Sequence, residues 1–542
     1  MRSVIKGNVV DAFRNRIFPA EIEFSDGKIK QIVEVSEKFP CYILPGFIDS
    51  HIHIESSMLA PAGFARFAVR HGTVAVLADP HEIANVAGLD GIDYMIENGE
   101  TVPLKYFFGA PSCVPATEFE SSGARLDSMD VRNLLKRGDI YFLSEMMNFP
   151  GVINGDDSVI KKIIAAHELN KPVDGHAPGL TGQNLIKYIS AGITTDHECV
   201  TMQEAVEKIE AGMKIQIREG SAARSFDLFC GLIDRFPDSV MLCSDDMHPD
   251  DLLEGHMNKM LARGMKNGIN IYNLVRAATV NPALHYNLPV GLLREGDYAD
   301  LVVVKDLNNF EVLETCINGK TVYREGEVLF EGKYKKFEKI FRSNYIRPQE
   351  IKIIAAGRKI RIIDVRDGEL YTGEIIDHAT IRNGFAVADP ERDICKIVVV
   401  NKYQDNQVSA GFISGFGLIK GAIAGSVAHD SHNIIAVGTD DNEIADAVNT
   451  VLDMGGGLSA VSSGKKLKLQ LEIAGLMTNE EGDLVAHKYK ELDEYAKELG
   501  SRLTAPFMTL SFMSLLVIPE LKIGDRGLFD VNKFSFTSLF AE

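Results

Sequence analysis

The chain has 542 residues, 45% apolar and 25% charged, and its 57 basic against 76 acidic side chains leave a net charge of -19. That length exceeds one ordinary core and predicts two or three domains, while the acidic balance argues against nucleic acid as a partner. No apolar run reaches the roughly 18 residues of a membrane span, and seven scattered cysteines without a C-x-x-C pair fit reduced thiols rather than a disulfide framework or cysteine zinc site. The opening MRSVIKGNVVDAFRNRIF lacks the apolar core and cleavage site of a signal peptide, so the expected location is cytoplasmic.

Residues 1–44 alternate apolar and polar, and Asp26-Gly27 between SVIKGNVVDAF…AEIEFS and KIKQIVEV predicts a hairpin. From Tyr42, short apolar runs recur: YILPGFIDS, GTVAVLADP, KYFFGAPS, IYFLSEM, KPVDGHAP, GITTDHE, KIQIREG and SVMLCSDD. Segments such as DSVIKKIIAAHELN and TMQEAVEKIEAGM, with apolar residues at helical spacing, separate several of them. Nearly all-apolar strands alternating with helices predict a parallel sheet buried on both faces, and eight of them fit a (β/α)8, TIM-like barrel. After Asn281-Pro282 the β texture returns, with Asn318-Gly319 as another hairpin. From about Arg347 a third region carries strands (KIRIIDV, KIVVVNKY, HNIIAVG), a helix (NEIADAVNTVLDMG) and a hairpin (GGLSAVSSGKKLKLQLEI). The expected α/β architecture is therefore a barrel over 45–285, a flanking β-sandwich built from 1–44 with 286–345, and a C-terminal α/β domain over 346–542.

Functional groups of a parallel barrel belong at the carboxyl ends of its strands. His51 and His53 end the first, Asp79 and His81 the second, Glu145 the fourth, His176 the fifth, His197 the sixth, and Asp245 with Asp246 the eighth. In PGFIDSHIHIESS, strand alternation points His51 and His53 one way and Ile52 and Ile54 the other. Two imidazoles on one face can share a metal ion; hydrogen-bonded loop histidines are the alternative. His, Glu and Asp donors without thiolate suit Zn, Mn or Fe. His81 and Glu82 in ADPHEIANV are expected in the active site. Asp246 orients the loop, His248 touches substrate or caps a turn, and Glu198 points away from the metals. Met146, Met147 and Met477 read as core. No phosphate loop or dinucleotide motif is present, and neither is the H-x-E with P-C-x-x-C plan of the cytidine-deaminase type.

Seven stretches, PGFIDSHIHIESSM, ADPHEIANVAG, YFLSEMMN, DGHAPGL, TTDHECVT, CSDDMHPDDL and GSVAHDSHNIIAVG, resemble the adenine deaminases of the amidohydrolase superfamily, and the likeness runs nearly end to end. The resemblance implies a small purine base as substrate, adenine and water giving hypoxanthine and ammonia, and two divalent metal ions, Mn or Fe before Zn. By analogy it also implies a homo-oligomer, dimer or larger. Carried over residue by residue, His51 and His53 bind the first metal, His176 and His197 the second, and Glu145 bridges them. Asp245 ligates the first metal and handles protons, and Glu82 or His81 supplies or relays a proton to the ring. His429 and His432 line or close the site. Ser112, Glu118 and Phe119, in the loop after the third strand, join Asp246 and His429 as candidate substrate contacts. The rival readings are another amidohydrolase (an N-acetyl-sugar deacetylase or cyclic amidohydrolase) and an inactive barrel used as a scaffold.

Overall fold

The computed structural model describes residues 3–221, 223–337, 341–404 and 407–541. At the amino terminus β1 (Ser3–Asp11), β2 (Arg16–Ser25) and β3 (Lys28–Glu34) form an antiparallel meander. Asp26 and Gly27 turn it with φ of 54° and 76°, the left-handed pair that a two-residue hairpin requires. β4 (Tyr42–Pro45) then runs parallel to β1 and leads into the barrel.

All eight apolar runs contribute a barrel strand: β5 (Phe47–Ile52), β6 (Thr73–Ala78), β7 (Lys105–Ala110), β8 (Ile140–Met146), β9 (Val173–Gly175), β10 (Thr195–Asp196), β11 (Lys214–Arg218) and β12 (Val240–Cys243). β5 to β9 pair in parallel in sequence order, as do β10 to β12. Two seams close the ring. Thr194 N donates to Val173 O at 2.9 Å between β9 and β10, and Asp245 N to His51 O at 3.0 Å and His53 N to Asp245 O at 3.2 Å join the last strand to the first. The second seam fixes the backbones of three candidate ligands against one another. Phe47, Ile48, Val74, Val76, Leu143 and Leu242 are fully buried, which is why these strands read as unbroken apolar runs.

After the barrel, β13 (Leu301–Val304), β14 (Val312–Ile317), β15 (Lys320–Arg324) and β16 (Glu327–Val328) extend the amino-terminal meander into one eight-stranded sheet, joined where β13 pairs with β4. Where two sheets facing each other were expected, a single sheet curls over on itself. Ala299 N donates to Gly27 O across the fold at 2.9 Å, and Val9, Ile22, Phe24, Ile29, Leu301 and Cys316 fill the inside.

The carboxy-terminal region centres on a nine-stranded sheet that includes Lys359–Val365, Cys395–Val400, Ile434–Gly438 and the hairpin Gly457–Ser462/Lys465–Gln470. The helix Asp441–Met454 packs on it, capped by the Asp440 carboxylate on the Asn442 and Glu443 amides and ended by Gly455 at φ 72°. This region docks on the barrel through α1 (Pro61–Arg70): Arg70 holds Asp483 with both guanidinium nitrogens at 3.0 and 2.9 Å, and Ala60 N donates to Thr478 O. The turn Phe512–Ser514 and the residues after it carry Phe512, Leu515 and Ile518 to the barrel mouth. No helix among the described residues is long and apolar enough to cross a membrane.

Candidate active site

Four imidazoles and two carboxylates meet at the carboxyl ends of β5, β8, β9, β10 and β12. His51 Nε2 and His53 Nε2 stand 3.1 Å apart, and each lies 3.3 Å from Asp245 Oδ1. His53 Nδ1 is 3.2 Å from the Asp79 carbonyl, a contact that requires an N–H there and so leaves a lone pair on Nε2. Glu145 splits its oxygens: Oε1 is 3.4 Å from His53 Nε2, while Oε2 is 2.8 Å from His176 Nδ1 and 3.0 Å from His197 Nε2. Neither ring nitrogen of the buried His197 makes a hydrogen bond.

Buried polar atoms are normally paired, yet neither His197 nitrogen nor His51 Nδ1 has a partner, and the His51 and His53 imidazoles crowd against one carboxylate oxygen of Asp245. These donors therefore fit cations. Two overlapping sets, His51/His53/Asp245 and His51/Glu145/His197, come within metal-sharing distance of one another. Burial would raise the Glu145 carboxyl, but the His176 and His197 imidazoles outweigh it and hold it well below the usual carboxylate range. Asp245 follows the same logic: burial raises it, and Arg218 with His51 and His53 brings it well below. Its backbone sits at φ 57°, a left-handed conformation that aspartate tolerates better than most residues.

The surrounding side chains aim these groups. Arg218, at the end of β11, is buried and holds Asp245 Oδ2 at 2.7 Å while gripping both oxygens of Glu198. Lys208, buried on the helix Met202–Glu210, donates to Asp196 Oδ2 at 2.8 Å, Glu204 Oε1 at 2.5 Å and Ala177 O at 2.7 Å. Asp196 precedes His197 and Ala177 follows His176, so one ammonium ties together the two strand ends that carry this histidine pair.

Facing the metal-ligand set is a second constellation contributed jointly by barrel and carboxy-terminal region. Glu82, in the first turn of α2 (His81–Gly99), accepts at Oε1 from His429 Nδ1 at 2.6 Å and at Oε2 from His432 Nε2. The Ala428 amide donates to His432 Nδ1, which fixes the His432 proton on Nε2. His429 Nε2 is buried without a partner and belongs to the cavity wall. Burial disfavours a charged Glu82, yet His429, His432 and His81 overcome it and hold its carboxyl well below the usual range. His81 lies 3.2 Å from Asp79 Oδ2 and 3.5 Å from Glu145 Oε1, joining the two constellations.

The candidate ligands His53, Glu145, His176, His197 and Asp245 and the proton carriers His81, Glu82 and His429 line one cavity with Asp246, and His51 adjoins it through His53, their Nε2 atoms 3.1 Å apart. Three expected substrate contacts lie elsewhere. Ser112 is not at the cavity: its hydroxyl turns back to the Glu145 carbonyl at 2.5 Å. Glu118 is exposed and paired with Arg125, and Phe119 packs against Phe529, Phe534 and Phe536, so neither reaches the site. Glu198, expected to point away, forms part of the wall through its grip on Arg218, and Met147, in the core as expected, also lines the cavity. His248 is buried against the Tyr489 hydroxyl at 2.6 Å. Arg218 escaped the reading although it ends the seventh strand, where the strand-end rule would have found it. Leu370, Phe512, Leu515 and Ile518 complete the wall and carry no sequence signal at all.

A barrel with this set of donors at its mouth defines a metal-dependent hydrolase of the amidohydrolase class, and the amidohydrolase family model matches residues 42–322. The adenine deaminase C-terminal domain model matches residues 369–535. Adenine deaminases of Methanosarcina barkeri (strain Fusaro / DSM 804) and Salinibacter ruber (strain DSM 13855 / M31) are 54% identical over 545 residues and 51% over 541, each comparison covering 99% of both chains. The chain belongs to the adenine deaminase family. Among solved structures, D-hydantoinase aligns at 18% identity over 61% of this chain and 97% of that one, with a TM-score of 0.46. Amidohydrolase membership implies divalent metal ions at this centre.

Proposed function

We propose that the protein hydrolyses adenine to hypoxanthine and ammonia. The reading rests on one observation above all: six buried donors, from strand ends scattered between residues 51 and 245, bring imidazole nitrogens and carboxylate oxygens to between 2.8 and 3.4 Å from one another. His51, His53 and Asp245 would hold one divalent ion and His176 with His197 the other, with Glu145 between them. Manganese or iron suits this all-nitrogen-and-oxygen set. Bound there, such ions would lower the pKa of water and so supply a nucleophile near neutral pH, and the anionic Glu145 would offset their mutual repulsion.

The protein's own groups handle the remaining protons. Asp245 Oδ1 faces the ligand nitrogens while Oδ2 is pinned by Arg218, so the carboxylate is aimed to take a proton from the attacking water and return it to the departing amine. The ring nitrogen must gain a proton as aromaticity is lost. His81 and His429 both line the cavity, and Glu82, joined to each, relays between them. Met147, Leu515 and Ile518 give the flat base an apolar surface, with carboxylates and imidazoles at its edge.

Ammonia release by protein loaded with Mn, Fe or Zn tests this directly. Adenine is expected to be turned over, with adenosine, hydantoins and acetylated amino sugars left intact. Turnover of one of the others, by ring opening, acetate release or ammonia release as its chemistry dictates, with no ammonia from adenine, overturns it.

A further inference from the structure

The cavity at the metal-ligand set has about 30 Å³ of free space, room for about two waters. Adenine has ten non-hydrogen atoms. A larger recess of about 270 Å³ lies beside it, rimmed by the exposed residues Arg224, Asp367, Glu369 and Thr504. The two spaces share two wall residues, Leu370 and Phe512, which are nearly buried. Leu370 sits just before Thr372–His378, and Phe512 stacks on His429 at 4.3 Å with the rings 14° apart.

Both residues are tied from behind by one side chain. Lys522, fully buried on Leu521–Gly524, donates to Leu370 O at 2.8 Å and to Phe512 O at 3.2 Å. These carbonyls belong to segments about 140 residues apart in the chain, and an ammonium is among the few groups that can satisfy two divergent carbonyls from one point. Burying a charged amine is costly unless its donors are used, so its position here asks for a role. At the rim, Thr504 N and Oγ1 both hold the Asp367 carboxylate at 2.7 Å, a second tie across the same opening.

We propose that Leu370 and Phe512 form a gate between the solvent recess and the metal-ligand cavity, and that Lys522 is the positioning residue that latches it shut. The gate opens by separation of the 366–371 loop from the Phe512–Ser514 turn; adenine enters and product leaves through the recess. This deepens the adenine reading and rests on it for the identity of what passes.

The chain contains no tryptophan, so Phe512→Trp places a single tryptophan in the gate, excited selectively over the tyrosines. Acrylamide quenching of that residue is compared in three backgrounds: otherwise unchanged, Lys522→Met and Lys522→Arg. Lys522→Met is expected to raise quenching severalfold, and Lys522→Arg, which keeps N–H donors, to restore it most of the way. Equal quenching in all three overturns the latch. If Lys522→Met does not fold, Leu370→Ala decides: it leaves the carbonyl in place and widens the aperture, so quenching must rise, and unchanged quenching removes the gate. None of these measurements needs turnover, so failure of the gate is separate from failure to deaminate adenine. On adenine, Leu370→Ala is expected to change KM more than kcat.

Discussion

Lys208→Met replaces a fully buried ammonium with an apolar side chain of similar length. It leaves the buried Asp196 and Glu204 carboxylates facing each other across the vacated position. Charge centres about 3.5 Å apart attract by about 5 kcal/mol per pair at an effective dielectric near 20. Much of that only offsets the cost of removing three charges from water, and breaking a buried pair costs about 3–5 kcal/mol net. For a domain of the barrel's size, a shift of about 2–4 °C per kcal/mol places the expected fall in Tm at about 6–20 °C. The Lys208 ammonium also fixes Ala177 beside His176 and Asp196 beside His197, so the second metal position should weaken more than the first. Thermal unfolding followed by circular dichroism, with metal content by mass spectrometry, reads both effects. Lys208→Met/Asp196→Asn should recover part of the stability by removing one orphaned charge, and the cycle isolates the pair. A Tm within about 2 °C of the parent, together with two metals retained per subunit, would refute the argument.

Asp245→Asn should keep most bound metal, because an amide oxygen can still ligate, and lose about 10²–10⁴-fold in kcat; near-parental turnover by this variant removes Asp245 as proton carrier. Glu145→Gln takes away the anion between two dications and should bind fewer than two ions per subunit, whereas full occupancy argues against the bridge. Burial, with His429 next, pushes His248 down to about 3, and its Nδ1 accepts from the Tyr489 hydroxyl in the neutral form. An unfolded histidine titrates near about 6.5, so below that pH the unfolded chain binds the extra proton. Stability from this group is complete above that pH and falls by about 1.4 kcal/mol per pH unit as pH drops toward the folded value. Urea titrations between these limits should show His248→Asn with a correspondingly shallower pH slope; an identical slope refutes the assignment.

The primary sequence was sufficient wherever a local pattern has one physical solution. An apolar run such as GTVAVLA can be buried on both faces only inside a covered sheet, and Asp26-Gly27 closes a hairpin because few other pairs adopt two positive φ angles. Strand ends then select His51, His53, Glu145, His176, His197 and Asp245, since side chains there face the barrel mouth whatever the loops do. Arg218 obeys the same rule and was legible in principle.

What the tertiary structure alone decided is everything that depends on distant segments meeting. His429 and His432 reach Glu82 from nearly 350 residues away, and no local spacing encodes that approach. The loop after β7 looked well placed for substrate, but an aromatic cluster with Phe529, Phe534 and Phe536 draws Phe119 out of the site. The apolar wall falls instead to Leu370, Phe512, Leu515 and Ile518, which no motif marks. Hydrophobic burial is non-directional and sets no partner by itself; which leucine faces a substrate and which a neighbouring helix is fixed only when the domains pack.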